Sequence, residues 1–228
     1  TITASTNWNG SEVVTFTATD NDVTNPMTGS GVVTFTATPV NDAPVFSSTA
    51  ITSATEDVLY SHTTTASDVD GDALTFSATM MPTWLIGVDN GDGSASGSGT
   101  PLNEHVGSNT VVLTVSDGTV TVEQSFTIIV ANTNDAPVFS STAITAATED
   151  VAYSYTATAS DEEGNTLTYL ATTLPAWLSF NASTQVLSGT PLNTHIGNNA
   201  VVLTVSDGTI SVEQSFTIIV AETNDAPV

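Results

Sequence analysis

Along this chain hydrophobic and polar residues alternate with a period of two. The runs LTFSA (74–78), VVLTV (111–115), FTIIV (126–130) and LTYLA (167–171) are short and rich in β-branched and aromatic residues. Successive side chains of an extended backbone point to opposite faces, so such runs read as strands that lay one face on a core. Asp-Gly, Asn-Gly and Thr-Pro pairs separate them, and these are turn formers. No stretch keeps the 3.6-residue period of an amphipathic helix. The pattern predicts an all-β chain.

The pattern also repeats. NDAPVFSSTAIT, from Asn41 to Thr52, returns unchanged from Asn134 to Thr145, and NDAPV occurs again from Asn224 to Val228. The run from Val111 to Ala131 recurs from Val201 to Ala221, with only Ile210 for Val120 and Ser211 for Thr121. A period of this size marks tandem modules. Their expected bounds are 41–133 and 134–223, with 224–228 beginning the next linker. Residues 1–40 read as the closing strands of a partial, divergent module, because SEVVTFTATD and GVVTFTATPV lead into the same NDAPV boundary. Two strands are marginal alone, so this fragment is expected to lean on upstream chain or on a partner strand. A module of roughly 90 residues with about seven short strands has the size of a Greek-key β-sandwich, here set end to end. Trp84 and Trp177, in matched MPTWL and LPAWL settings, are expected between the sheets. The DNGDG stretch at 89–93 is expected to be a hairpin tip.

Composition then narrows the chemistry. The chain has no Lys, no Arg and no Cys; its 24 charged side chains are all Asp or Glu, and the formal net charge is −24. Such a chain cannot neutralise phosphates, which excludes nucleic acid and attraction to anionic lipid heads as partners. Disulfides, Schiff bases and amide cross-links through lysine are also excluded. No apolar run approaches the roughly 20 residues of a membrane span, and nothing at the start resembles a signal peptide. The chain reads as a piece of something longer.

As a set, ATED (54–57, 147–150), SDVDGDALTFSA (67–78) against SDEEGNTLTYLA (160–171), the Trp-Leu pairs, SGTP (98–101, 188–191) and VVLTVSDG resemble cadherin-like domains of the dystroglycan type. These are immunoglobulin-like sandwiches of large bacterial surface proteins, and the resemblance spans both full modules. The 1–40 fragment resembles the closing strands of a neighbouring bacterial cadherin-like type. The resemblance implies an extracellular location, tandem arrangement, a place in adhesins or polysaccharide-degrading enzymes, and calcium at the junctions.

Topology bears on the calcium expectation. In a seven-stranded sandwich the turns after the second and sixth strands share the pole where the chain comes in, here the leading pole, and those after the first and fifth share the trailing pole. Asp68, Asp70, Asp72 and Asp117 should therefore meet at the leading pole of the first full module, under linker residues Asn41 and Asp42. Its trailing pole should collect Glu56, Asp57, Asn103 and Glu104. Next come linker residues Asn134 and Asp135, then Asp161, Glu163 and Asp207. Glu149, Asp150, Asn193, Asn224 and Asp225 would form a half site. The partial module offers little beyond Asn7 and Asn9, and Asn165 stands where the first module has Asp72, so unequal affinities are expected.

Calcium takes six to eight hard oxygens at about 2.3–2.6 Å. Turn chemistry without metal is the competing account, and it serves Asp117 and Asp207 well. It leaves unexplained why carboxylates gather without a cation, since two of them about 4 Å apart cost on the order of 4 kcal/mol at an effective dielectric near 20. His105 and His195, one per module in matched positions, suit a structural role rather than zinc. No catalytic set of Ser, His and Asp is evident, and the chain is expected not to be an enzyme. The function expected is a calcium-rigidified extracellular spacer, the stalk or fibre of a repetitive bacterial adhesin, whose first partners are the neighbouring modules of its own chain. Two alternatives stay open: a filament subunit completed by strand donation, and a module that binds polysaccharide or a cell surface, for which Tyr60, Tyr153 and Tyr155 are scattered aromatic candidates.

Overall fold

The computed structural model describes residues 3–224, and the chain divides into two compact units after Ala131. The first unit opens with a hairpin of β1 (Gly10–Thr19) and β2 (Thr28–Ala37), paired antiparallel from Gly10–Ala37 to Thr19–Thr28. Its apex is tied by the Asp20 carboxylate, which accepts the Met27 N–H at 3.2 Å. The alternating pattern makes these strands as expected, yet Val13, Phe16 and Val32 remain 60%, 50% and 65% exposed.

A sandwich follows. Its strands are β3 (Val45–Phe46), β4 (Ser53–Thr55), β5 (Tyr60–Ser67), β6 (Thr75–Met80), β7 (Ile86–Asp89), β8 (Ser94–Gly99), β9 (Gly107–Ser116) and β10 (Thr121–Ala131). One sheet has the order β4-β10-β9-β6 and the other β3-β5-β8-β7. The opening strand serves both sheets: β3 runs antiparallel to β5, and β4 runs parallel to β10. Ser47 to Thr52 carry the chain across, a change of sheet that leaves neither edge of this short strand long.

The second unit repeats the plan with β11 (Val138–Phe139), β12 (Ala146–Thr148), β13 (Tyr153–Thr156), β14 (Ala159–Ser160), β15 (Thr168–Thr173), β16 (Leu178–Asn181), β17 (Val186–Gly189), β18 (Gly197–Ser206) and β19 (Ser211–Ala221). Here the second strand is broken between β13 and β14, where buried Ala157 donates its N–H to Gln185 O at 3.0 Å. The only helical turns among the described residues are two short 3-10 turns, Asn103–His105 and Asn193–His195.

Trp84 and Trp177 lie between the sheets at 7% and 9% exposure, as the matched contexts predict. Each indole N–H needs an acceptor once buried. Trp84 donates to Asn109 Oδ1 and Trp177 to Asn199 Oδ1, both at 3.0 Å. The Asn109 amide donates onward to the carbonyls of His105 and Gly107 at 2.7 and 3.2 Å. The glycine of each SGTP motif makes this packing possible: a Cβ on Gly99 would sit 1.9 Å from Trp84 O, and on Gly189 2.0 Å from Trp177 O. The DNGDG stretch is a hairpin tip between β7 and β8, with Asn90 N–H donating to Ser94 O at 3.0 Å.

Candidate metal centre

Turns of opposite origin meet at the leading pole of the first sandwich. Asp68, Asp70 and Asp72 follow β5, and Asp117 follows β9. Gly71, at φ 79°, turns the backbone back on itself so that Asp68 Oδ1 accepts the N–H groups of Asp70 at 2.8 Å and Asp72 at 3.4 Å. Carboxylate oxygens of Asp68, Asp70 and Asp72 all come within 4.8 Å of one another. Oxygens that share one calcium ion at about 2.4 Å lie no farther apart than that.

The linker is fastened to this pole. Asp42 donates its backbone N–H to Asp70 Oδ2 at 2.7 Å, and the Asn41 amide donates to Asp117 Oδ2 at 2.9 Å. Asp117 Oδ1 is taken by the N–H groups of Thr119 and Val120 at 2.7 and 2.6 Å. Those donors hold the Asp117 carboxyl below its ordinary range: Val120 N–H contributes most, then the Asn41 amide, then Thr119. Asp117 thus works as a turn residue and a latch for the linker. Asn7, at φ 61°, and Asn9 lie exposed ahead of β1.

The second sandwich reproduces the latch with different side chains. Asn134 donates to Asp207 Oδ2 at 2.7 Å, and Asp135 N–H donates to Glu163 Oε2 at 3.1 Å. The longer Glu163 therefore takes the place of Asp70. Asn165, replacing the third acid, donates its N–H to Asp161 Oδ1 at 2.9 Å and its amide to Asn134 Oδ1 at 3.4 Å. The Asp207 carboxyl is likewise lowered, by Asn134 first and then by the N–H groups of Ile210 and Thr209.

At the trailing poles, Glu56 and Asp57 follow β4, and Asn103 and Glu104 form the 3-10 turn after β8. Asp57 N–H donates to Pro101 O at 2.9 Å, which brings these two turns together. Asp150 makes the same bond to Pro191 O at 2.9 Å, close to the turn of Asn193. Glu56 and Glu149 are each 1% exposed, and Glu149 Oε2 accepts the Thr223 N–H at 3.2 Å. Asn224 is exposed beyond β19, and Asp225 lies outside the described residues.

A buried oxygen without a donor tests whether these groups suit a cation. Asp68 Oδ2, Asp161 Oδ2 and Glu163 Oε1 are shielded from solvent and accept no hydrogen bond. A buried carboxylate oxygen costs free energy unless a donor or a cation faces it. The sequence contains no Lys or Arg to do so. The side-chain atoms that could face a cation at these poles are all oxygens of Asp, Glu and Asn, a set that suits a hard divalent ion such as calcium rather than zinc.

The three tyrosines considered as exposed aromatics are core residues. Tyr60, Tyr153 and Tyr155 are 6%, 6% and 3% exposed. Tyr60 and Tyr153 donate their hydroxyls to Ile51 O and Ile144 O at 2.8 and 2.7 Å, and their rings meet Trp84 and Trp177 edge-on. Burial raises the Tyr153 hydroxyl to about 12, with Tyr155 adding to it. His105 and His195 are structural: Nδ1 of each accepts the N–H of Leu102 or Leu192, at 3.0 and 2.9 Å.

Two sandwiches in series, each sharing its opening strand between sheets, define a tandem immunoglobulin-like protein. The Putative Ig domain family matches residues 43–131 and 136–221. The chain belongs to that family. Among solved structures, the chain is similar to the endo-fucoidan hydrolase MfFcnA4 of glycoside hydrolase family 107, at 28% identity over 93% of this chain and 34% of that one, with a TM-score of 0.41. It is also similar to human protocadherin-24 EC1-2, at 21% identity over 81% of this chain and 100% of that one, with a TM-score of 0.45. The chain spans about a third of the length of the hydrolase. A comparison with curated proteins finds no match. No helix among the described residues is long and apolar enough to cross a membrane.

Proposed function

We propose that this chain is a calcium-rigidified spacer from the stalk or fibre of a large, repetitive bacterial adhesin outside the cell. The observation that carries the reading is the set of buried, donorless oxygens on Asp68, Asp161 and Glu163, each beside a linker that is hydrogen-bonded to the same pole. Asp68, Asp70 and Asp72 would hold calcium on the first full module, and Asp161 and Glu163 with Asp135 on the second. Bound calcium would supply the positive charge that the chain lacks, turning repulsion among carboxylates into attraction.

Asp42 and Asp135 would transmit this to the linkers, because their N–H groups grip acids of the same clusters. A linker held in this way would lose freedom to swing, which is the property a spacer needs. Residues 1–40 would be the closing strands of a further module of the same array. Modules so arranged have no catalytic part in this reading, and their partners are their neighbours in the chain.

Thermal melting and small-angle scattering in calcium, and again in chelator, test the proposal. Calcium is expected to raise the melting temperature and narrow the distribution of chain dimensions, with magnesium much less effective. Asp135→Ala should remove the part of the response that belongs to the second module. Identical melting and scattering profiles in the two conditions would overturn it.

A further inference from the structure

The two modules are near-copies, but their cores are not filled alike. In the second, Tyr155 is buried and its hydroxyl donates to Gln214 Oε1 at 2.8 Å, while lying 2.7 Å from Ser141 Oγ. Its ring meets Phe216 edge-on at 5.8 Å. Leu187 is fully buried beside it, and Phe180 packs against the same cluster. At the matched positions the first module has His62 for Tyr155, Gly97 for Leu187 and Gly87 for Phe180. Three large side chains have become one imidazole.

A cavity of about 110 Å³ results between the sheets of the first full module, lined by His62, Phe76, Met81, Leu85, Leu113 and Phe126 among others. Backbone geometry does not demand these glycines. Neither has a positive φ, and a Cβ on Gly97 would find only ordinary contacts, 3.8 Å to Leu85 Cδ1 and 4.0 Å to His62 O. What they contribute is volume. Two polar atoms are also left over: His62 Nε2 and Gln124 Oε1 are buried without a partner, whereas Gln214, the counterpart of Gln124, is satisfied by the Tyr155 hydroxyl.

We propose that this cavity is a binding site for a neutral, single-ring phenol, whose ring occupies the volume filled by side chains in the second module and whose hydroxyl pairs with His62 Nε2. The size is of the right order, since an engineered apolar cavity of about 150 Å³ takes up benzene. A hydroxyl both donates and accepts, so it satisfies Nε2 in either neutral tautomer of the imidazole. Burial lowers the pKa of His62, which keeps the ring neutral at pH 7. Anions are disfavoured by the net charge of −24. Cations would lose their hydration against an apolar wall whose one carboxylate, Asp89, already accepts from the N–H groups of Phe76 and Gly91 at 2.9 and 3.0 Å. The cavity is independent of the calcium reading, since none of the acids assigned to calcium lines it.

Calorimetric titration of the full chain with phenol, benzene and benzoate tests the site. Phenol is expected to bind saturably at one site per chain although there are two full modules. Benzene should bind about fivefold more weakly for want of one hydrogen bond. Benzoate should bind at least about tenfold more weakly. Gly97→Leu and His62→Tyr each restore a side chain of the second module and should abolish phenol binding without lowering the melting temperature. Two phenol sites per chain, unchanged affinity in a folded Gly97→Leu variant, or no saturable heat because the cavity holds water only would each overturn the proposal.

Discussion

The backbone N–H of Asp42 donates to the carboxylate of Asp70 across 2.7 Å, joining a linker to the turn after the second strand. The acceptor serves two purposes: it fixes the linker and belongs to the trio of acids with Asp68 and Asp72. Asp70→Ala is therefore expected to lower calcium affinity at the first pole by at least about tenfold; without calcium the lost hydrogen bond, worth about 1 kcal/mol, is offset by relief of repulsion with Asp68 and Asp72, so stability should hold or rise. Calcium titration by calorimetry and urea melts in chelator check the two effects separately.

Acid should loosen both linkers. The Asp117 and Asp207 carboxyls are held below their usual 3.8 by hydrogen bonds made in the folded state. A depressed folded pKa gives stability that is complete above the unfolded value and is lost as the pH falls through the folded one. The contribution of these latches should thus be steady at pH 5 and above and decline below about pH 4. Carboxyl chemical shifts followed by NMR are the measurement, and Asn134→Ala should move the Asp207 titration upward while leaving that of Asp117 unchanged.

Glycines two residues apart on β8 should behave in opposite ways. Gly99→Ala forces a methyl group against Trp84 O, and a shift of the backbone is the only relief, so a loss of about 3 kcal/mol is expected. Gly97→Ala meets nothing closer than 3.8 Å and reduces the freedom of the unfolded chain, so it should be neutral or stabilising by up to about 1 kcal/mol. Chemical denaturation of the two variants compares them directly.

The asparagines beneath the tryptophans are braces. Asn109→Ala strands the Trp84 indole N–H and the carbonyls of His105 and Gly107. A loss of about 1–3 kcal/mol follows from leaving a buried donor unpaired. Tryptophan fluorescence in a denaturant series should report both the loss and a changed indole environment, with Asn199→Ala doing the same in the second module.

The strand runs were legible because they rest on local rules. VVLTV and FTIIV place Val111, Val115, Ile128 and Val130 inward simply by alternating, and a turn has to follow each run where Asp-Gly occurs. The tyrosines were less legible: in Tyr-Ser-Tyr the period shows that the two rings share a face but not which face the core takes. The cavity was hidden for a related reason. Gly87 and Gly97 look like ordinary loop-rich composition until the opposite sheet shows that a side chain is missing above them.

What the sequence determined by itself was an all-β repeat, crowded with carboxylates and without a cation, because periodicity, turn residues and charge are local or additive properties. Tertiary structure decided which carboxylate oxygens are left without a donor and which glycines leave a void. Both depend on groups brought together from strands far apart in the chain, and no local pattern encodes that distance.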